Sequence, residues 1–331
     1  MARKSTDGPA ATGTPGPGTP GTEAPDTGTA GAATAEAGAL ADFEAHRSLL
    51  FGVAYRMLGR VADAEDVVQE AWLRWSAADR SGIATARAYL IRIVTHLAVD
   101  RLRRLAARRE TYVGPWLPEP LPTDRATAAA EAAPEGAERA AFAETISFAL
   151  LVVLETLSPL ERAVFVLREA FGLPYGEIAG ALGRGEAAVR QLAGRARRHV
   201  AERRPRYEVD AGQRRRLTER FLAAASEGDL PGLMALLAED ATLVGDGGGV
   251  AKAPVRAILG ADKVARFTLG IARKPPADAA FRLLECNGAP ALFVTSGGAP
   301  HSLFLLEGAG GRVHRVYVQA NPAKLGHLLT A

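Results

Sequence analysis

The sequence predicts a multidomain chain: two all-α modules, the second containing a helix-turn-helix, followed by an α+β domain. Apolar residues recur at helical spacing over 42–108 and again over 142–200. A proline-rich stretch interrupts the two helical runs. After Pro276, short strand-like runs are punctuated by Asn287-Gly288, Gly297-Gly298 and the glycines between 308 and 311, which read as hairpin turns. The expected boundaries are a tail over 1–38, a first module over 39–110, a linker over 111–140, a second module over 141–207 and the α+β domain over 212–331.

Each element has its own warrant. Residues 1–38 are Gly, Pro, Thr and Ala with scattered charge, a composition that cannot bury a core, so the tail is expected to be disordered. From Asp42, Phe43, Leu49, Leu50, Val53, Ala54, Met57 and Leu58 share a helical face that ends at Gly59. Asp63 is placed to cap a second helix bearing Val67, Val68, Ala71, Trp72 and Trp75. A third helix over 85–108 turns Tyr89, Leu90, Ile93, Val94, Leu97 and Leu102 inward. The linker, with Tyr112-Val-Gly-Pro-Trp-Leu-Pro-Glu-Pro at its start, reads as partly extended and flexible. Helices resume with Phe142, Ile146, Leu150, Val153, Leu154 and Leu157. Ser158-Pro159-Leu160-Glu161 then forms a capping box with proline at the first helical position. Two helices over 217–225 and 230–237 lead into 241–244, a glycine loop and a helical stretch over 255–272. Strands over 281–286, 291–295, 302–307 and 312–319 complete a meander.

The helix-turn-helix lies over 175–204. Ala179 is small where the two helices press together, Gly183 permits the positive backbone angle of the turn, and Val189 packs back into the corner. Ile178, Leu182, Leu192, Ala193, Ala196 and Val200 complete the inner faces. Gln191, Arg195 and Arg198 project outward with Arg190 at the flank. Such a helix can enter a major groove and grip phosphates.

Charge is informative only locally, since the whole chain carries +3. The third helix has Arg87 and Arg92, then Arg101, Arg103, Arg104, Arg108 and Arg109, with Asp100 as the acid among them. That cluster outruns the single turn over which a helix dipole favours cations, and points to a phosphate backbone. On the second helix, Asp66, Gln69 and Glu70 oppose the apolar face. They fit either a solvated surface or a docking site for a basic partner. One cysteine, Cys286, excludes an internal disulfide framework and a multi-cysteine zinc site. No apolar run spans a bilayer and the N-terminus lacks a secretory core, so a cytoplasmic protein is expected.

These residues resemble an extracytoplasmic-function sigma factor, the subunit that directs bacterial RNA polymerase to promoters. Asp63-Ala-Glu-Asp-Val-Val-Gln-Glu-Ala-Trp resembles the part of sigma region 2 that binds the polymerase clamp. The run from Ala88 to Arg104 resembles the part that melts and reads the −10 element. Leu157-Ser-Pro-Leu-Glu-Arg-Ala-Val-Phe with the helix-turn-helix resembles region 4, which reads −35. The resemblance implies that Asp63, Asp66, Gln69 and Glu70 bind the polymerase core through its beta and beta-prime subunits. It implies −10 contacts from Tyr89, Asp100, Arg101, Arg103, Arg104 and Arg108, with Asp100 at the loop that captures a flipped base; for Tyr89, helical core is the favoured role. The −35 contacts would come from Arg184, Glu186, Ala187, Arg190, Gln191, Arg195 and Arg198.

The linker and the C-terminal part resemble the subgroup with a fused SnoaL-like domain, a cystatin- or NTF2-like cone. Two signatures carry this, Asp246-Gly247-Gly248-Gly249 and Asn321-Pro322-Ala323-Lys324-Leu325. Val250 stands where lysine is usual and Ala323 where aspartate is expected. The resemblance implies a built-in regulator that touches the sigma modules, with Lys324 placed to contact them. Asp246, His301, His314 and Tyr317 are the residues able to serve as a catalytic base, but no His/Asp pair has a telling spacing. The chain is therefore read as a transcription initiation factor, with no catalytic residue, cofactor or metal. Its partners are core polymerase and promoter DNA, without membrane. The alternative is a ligand-responsive helix-turn-helix regulator acting without polymerase.

Overall fold

The computed structural model describes residues 27–109, 112–124, 147–203 and 210–330, with side chains from residue 36 onward and excepting 106–109. Residues 1–38 and 39–331 form separate units. Of the first, only the start of helix α1 (Thr27–Leu58) is described. That helix therefore begins well upstream of Asp42 and inside the stretch whose composition suggested a disordered tail.

The first module packs α1 with α2 (Val61–Ser76) and α3 (Ala86–Arg109). Its apolar faces are those the helical periodicity marks: Leu50, Val53, Met57 and Leu58 on α1, Val67, Val68, Ala71 and Trp75 on α2, Leu90 and Val94 on α3. Trp75 donates from its indole to the Ala39 carbonyl at 2.8 Å, fixing the start of the core on α1. The second module comprises α4 (Phe148–Leu154), α5 (Pro159–Phe165) with a following π turn over Val166–Ala170, α6 (Tyr175–Leu182) and α7 (Glu186–Arg203). The capping box at Ser158 and Glu161 forms as the sequence indicates. Gly183 closes α6 with φ of 61°. The expected contributions of Phe142 and Ile146 lie outside the described residues.

The two modules share one apolar core rather than two. α3 packs against α5 and α6, so Leu90, Leu97, Leu151, Val164 and Ile178 belong to one cluster. At the seam Arg162 is fully buried, donating to the Arg56 carbonyl at 3.0 Å and pairing with Glu155 at 2.9 Å. Gly59 sits over this pair with φ of 70°, and a Cβ there would fall 2.6 Å from a Glu155 carboxylate oxygen.

The C-terminal domain is α+β. Its elements are α8 (Ala211–Glu227), α9 (Leu230–Leu236), β1 (Leu237–Asp246), β2 (Ile258–Leu259), α10 (Ala261–Ala272), β3 (Ala279–Cys286), β4 (Ala289–Ser296), β5 (Ala299–Ala309) and β6 (Arg312–Gln319). Strand order is β2-β1-β6-β5-β4-β3. The β3–β6 meander and its turns fall where the glycine pairs place them. Two readings are corrected. β1 joins β6 in parallel, so the sheet is not purely a meander. The stretch from 255 is not helical until Ala261, because β2 and Gly260 with φ of 92° come first.

The sheet is covered on both faces. Leu243, Val313, Val316 and Val318 face α8, α9 and α10, meeting Leu217, Phe221, Leu233 and Val264. The opposite face presents Ala291, Phe293, Leu303, Leu305 and Tyr317 and receives Leu117 from the linker and Phe148 from α4. The Phe148 and Tyr317 rings meet edge-on at 5.3 Å. Among the described residues no helix is long and apolar enough to cross a membrane.

Cys286 lies fully buried on this second face, and burial pushes its thiol up to about 12. A thiol reagent is expected to leave native protein unlabelled and to label it fully in denaturant, with Cys286→Ser folding as wild type does. Fast native labelling, measured by mass spectrometry, would contradict this packing.

Candidate functional site

The α2 face holds Asp66, Gln69 and Glu70 exposed to solvent, as the sequence places them. Beside Gln69 lies a groove of about 280 Å³ lined in part by Leu40, Phe43, Val68 and Trp72. Asp63 is different. It is buried, with Arg101 2.5 Å and Arg60 3.5 Å from its two oxygens. It is therefore not available to a partner, and it does not cap α2, whose N-cap position is Arg60 without a side-chain bond. The cap comes from far away in the chain: Glu119 accepts from the Val61 N–H at 3.0 Å. A carboxylate at this helix start also complements the dipole.

Three of the residues expected at −10 are likewise repositioned or constrained. Arg101 bridges Asp63 and, at 2.9 Å, Asp66, so it ties α3 to α2 and is not a free cation. Tyr89 packs its ring 5.8 Å from Trp75, in keeping with a core role. Asp100 is exposed and pairs with Arg103 at 3.1 Å. Arg103 and Arg104 are exposed on the same side of α3. The side chain of Arg108 lies outside the described residues.

On the second module, Arg184, Glu186, Ala187, Arg190, Gln191, Arg195 and Arg198 are all exposed, while Val189, Ala193, Ala196 and Val200 are buried beneath them. Arg190 pairs with Glu186 and lies over the Tyr175 ring at 4.8 Å. Arg195 reaches Glu161 at 3.1 Å. That contact, after the Ser158 hydroxyl, holds the Glu161 carboxyl below its usual range.

The linker start forms a site that spacing arguments did not reveal. Residues 112–121 run as an extended strap between the C-terminal sheet and the first module. At its centre Lys324 and Asp246 form a fully buried ion pair at 2.7 Å. Asp246 also accepts from the Tyr112 hydroxyl at 2.5 Å, the Leu117 N–H at 2.9 Å and the Gly248 N–H at 3.0 Å. Lys324 donates to the Leu117 carbonyl at 2.6 Å and stands 3.3 Å from the centre of the Trp116 ring. Asn321 donates to the Tyr112 oxygen at 3.0 Å and caps the turn that carries Lys324. The glycine run has a steric reason, since a Cβ on Gly248, at φ of 62°, would collide with the Asn321 amide. Of the signature residues, Asp246, Asn321 and Lys324 meet here and Leu325 fills the adjacent core. Val250 and Ala323 are exposed outside the cluster.

The other end of the strap grips the α1–α2 junction. Glu119 donates its N–H to the Gly59 carbonyl at 2.7 Å, and its carbonyl accepts from the Tyr55 hydroxyl at 2.7 Å. Asn287 donates its amide to that same Tyr55 oxygen at 3.0 Å and accepts from the Leu121 N–H at 2.9 Å. His327 places one ring nitrogen 3.0 Å from Glu119 and the other 2.6 Å from the Pro120 carbonyl. The expected flexible linker is therefore, over 112–124, a docked element with Leu117, Glu119 and Leu121 buried. Two aromatics and a carboxylate in a proline-rich stretch were the sequence signal for it.

Burial pushes the Tyr112 hydroxyl above its ordinary value, with Asp246 adding to the shift, so it remains a donor. Burial pulls the Lys324 ammonium down to about 8, against the opposing pull of Asp246. Two of the catalytic candidates, Asp246 and Tyr317, are otherwise engaged. Asp246 is saturated by these donors, and Tyr317 donates to Glu307 at 2.7 Å. His314 lies 3.7 Å from Asp240, and His301 is exposed on β5.

Comparison with known proteins adds two family matches. Residues 43–109 match Sigma-70 region 2, and residues 147–200 match Sigma-70, region 4. The chain is 46% identical over 236 residues to the ECF RNA polymerase sigma factor SigJ of Mycobacterium tuberculosis, covering 71% of this chain and 73% of that one. It is 33% identical over 291 residues to the probable ECF RNA polymerase sigma factor SigI of the same organism, covering 87% and 95%. The crystal structure of the M. tuberculosis SigJ superposes with a TM-score of 0.68 at 37% identity, covering 86% of this chain and 98% of that one.

The buried pair generates two predictions. Removing one charge strands the other, at a typical cost of about 3–5 kcal/mol, whereas neutralising both costs less. Urea denaturation is expected to show Lys324→Met more destabilised than the double variant Asp246→Asn/Lys324→Met; equal or additive losses would contradict the coupling. Between about 8 and 10.5 the unfolded chain holds the Lys324 proton that the folded chain has shed. The Lys324 contribution to stability therefore rises with pH across that window. Lys324→Met is expected to remove that rise when unfolding is compared at pH 8 and pH 10, and an unchanged slope would contradict it.

Proposed function

The chain belongs to the family of extracytoplasmic-function RNA polymerase sigma factors, and from that premise we propose how its parts divide the work of starting transcription. It binds core polymerase and directs it to promoters, the first module serving the −10 element and the second −35. The observation that carries this reading is the order of two exposed polar surfaces, the α2 face followed by the outer face of α7, on modules matching regions 2 and 4. Asp66, Gln69 and Glu70 offer polymerase an exposed polar face, and the groove beside Gln69 adds the apolar surface of Leu40, Phe43, Val68 and Trp72 between Glu44, Arg47 and Glu65. The beta-prime and beta subunits are the surfaces they meet in this reading. Asp100, Arg103 and Arg104 face the −10 strand, and Arg184, Glu186, Ala187, Arg190, Gln191, Arg195 and Arg198 face the −35 duplex. Arg101 and Asp63 act indirectly, by holding α3 in register with α2.

The C-terminal domain is a regulator in this reading, not an enzyme, because the groups able to serve as a base are saturated or lie outside a shared site. It acts through the strap. Elements about two helical turns apart span roughly 70 Å at ~34–36 Å per turn. Two modules sharing one core are too close to cover that distance, so the described arrangement is a closed one. Engagement of both elements requires α3 to part from α5 and α6, a step that frees the charges of Arg162 and Glu155 to water. The strap and Phe148 hold the C-terminal sheet to both modules, and so set how readily they part. Such a protein works where polymerase meets the chromosome, in the cytoplasm.

Transcription with purified core polymerase tests this. Full-length protein, or a form ending at Asp210, is expected to yield promoter-specific transcripts, with Asp66→Ala/Gln69→Ala/Glu70→Ala at least tenfold lower in core affinity. Binding of duplex DNA with no rescue of core polymerase would favour the ligand-responsive regulator instead.

A further inference from the structure

Positive charge does not stop where the second module ends. Between Arg195 and Arg220 the sequence has ten arginines against four acids, a net of +6 in a chain whose total is +3. Four of the ten, Arg214, Arg215, Arg216 and Arg220, belong to α8, the first helix of the C-terminal domain. Its inner face is accounted for by Leu217, Thr218, Phe221, Ala224 and Ala225, which are buried against the domain core. The arginines have no such structural reason. Arg214 falls in the first turn, where the dipole disfavours a cation, and the other three lie beyond its reach. Arg216 and Arg220 are also neighbours of like charge at i,i+4, a pairing that destabilises a helix.

One arginine is compensated. Arg215 bonds Glu219 at 3.2 Å and lies 3.9 Å from Glu285. Arg216 and Arg220 are exposed and have no acidic partner among the described residues. The pattern is unfavourable for the isolated helix and favourable beside an external polyanion. Its place in the chain says which. Arg203 ends α7 and Asp210 caps α8, a gap that an extended chain spans in at most ~25 Å. That is less than one turn of duplex, ~34–36 Å. The arginine face of α8 therefore starts within a turn of the end of the recognition helix.

We propose that the outer face of α8, through Arg216 and Arg220, is a further duplex-DNA contact that grips backbone phosphates beside the segment read by α7. The C-terminal domain then contributes to promoter affinity directly, without reading sequence. This rests on α7 engaging duplex DNA, as the proposed function has it.

The test uses holoenzyme assembled from core polymerase and the full chain. Promoter binding is followed by fluorescence anisotropy across a salt series for wild type, Arg216→Ala/Arg220→Ala and Arg216→Lys/Arg220→Lys. Two lost phosphate contacts should lower the slope of log affinity against log salt by about 2 and weaken binding several-fold at moderate salt. The loss should be the same when the sequence flanking −35 is changed, and the lysine variant should recover most of it. An alanine variant with wild-type affinity and slope overturns the proposal. So does a lowered affinity for core polymerase that accounts for the whole loss, which would make α8 a protein contact. Failure of wild-type holoenzyme to bind the promoter would instead sink the reading of α7.

Discussion

Burial of Asp246 against Lys324 is the constraint from which the rest of the architecture follows. Burying either charge without its hydrogen-bonding partners is costly, and the pair is not self-sufficient. Gly248 adds one donor from within the domain, and the partners Tyr112, Leu117 and the Trp116 ring all come from a segment that also belongs to the helical half of the protein. The C-terminal domain therefore completes its polar core only with the strap in place. Because the strap continues into Glu119, the same event caps α2 and closes the α1–α2 junction. Three parts of the chain are joined by one polar network, and each supplies what another lacks.

That design differs from an apolar weld. The sheet face that receives the strap also takes Phe148 from α4, so apolar contact supplies adhesion while the ionic network supplies specificity. Between the two helical modules the logic repeats. An apolar core shared by α3, α5 and α6 is interrupted by buried Arg162, Glu155 and the Arg56 backbone. Charged groups at such a seam lose less on separation than apolar ones, since water solvates them when the surfaces part. A seam of that kind suits modules that must hold together in one state and come apart in another.

Much of this was legible in the sequence because local chemistry decided it. Helical periodicity marked α2, α3 and the helix-turn-helix. Ser158 and Glu161 announced their capping box, and Asn287-Gly288 and Gly297-Gly298 their hairpins. What was missed depends on partners distant in the chain. A one-dimensional reading made Asp63 a cap and a docking residue, because its buried partner Arg101 lies 38 residues on. The cap of α2 comes from Glu119, 58 residues away. The parallel pairing of β1 with β6 has no local turn to betray it. The proline-rich stretch reads as a flexible linker, since its composition lacks any periodicity. Its aromatic residues were the sign that it packs. The C-terminal signatures carry only a resemblance, and their physical purpose, an ion pair closing over the strap, depends on partners that the fold alone brings together.

Amide hydrogen exchange at the strap bears most directly on this account. The N–H groups of Leu117, Glu119 and Leu121 are committed to Asp246, Gly59 and Asn287. In the intact chain they should exchange far more slowly than in an unstructured peptide, and Lys324→Met should release Leu117 first. Exchange at the rate of an unstructured peptide in the intact protein would show that the strap is not docked, and the polar network said to join the three parts of the chain would have to be abandoned.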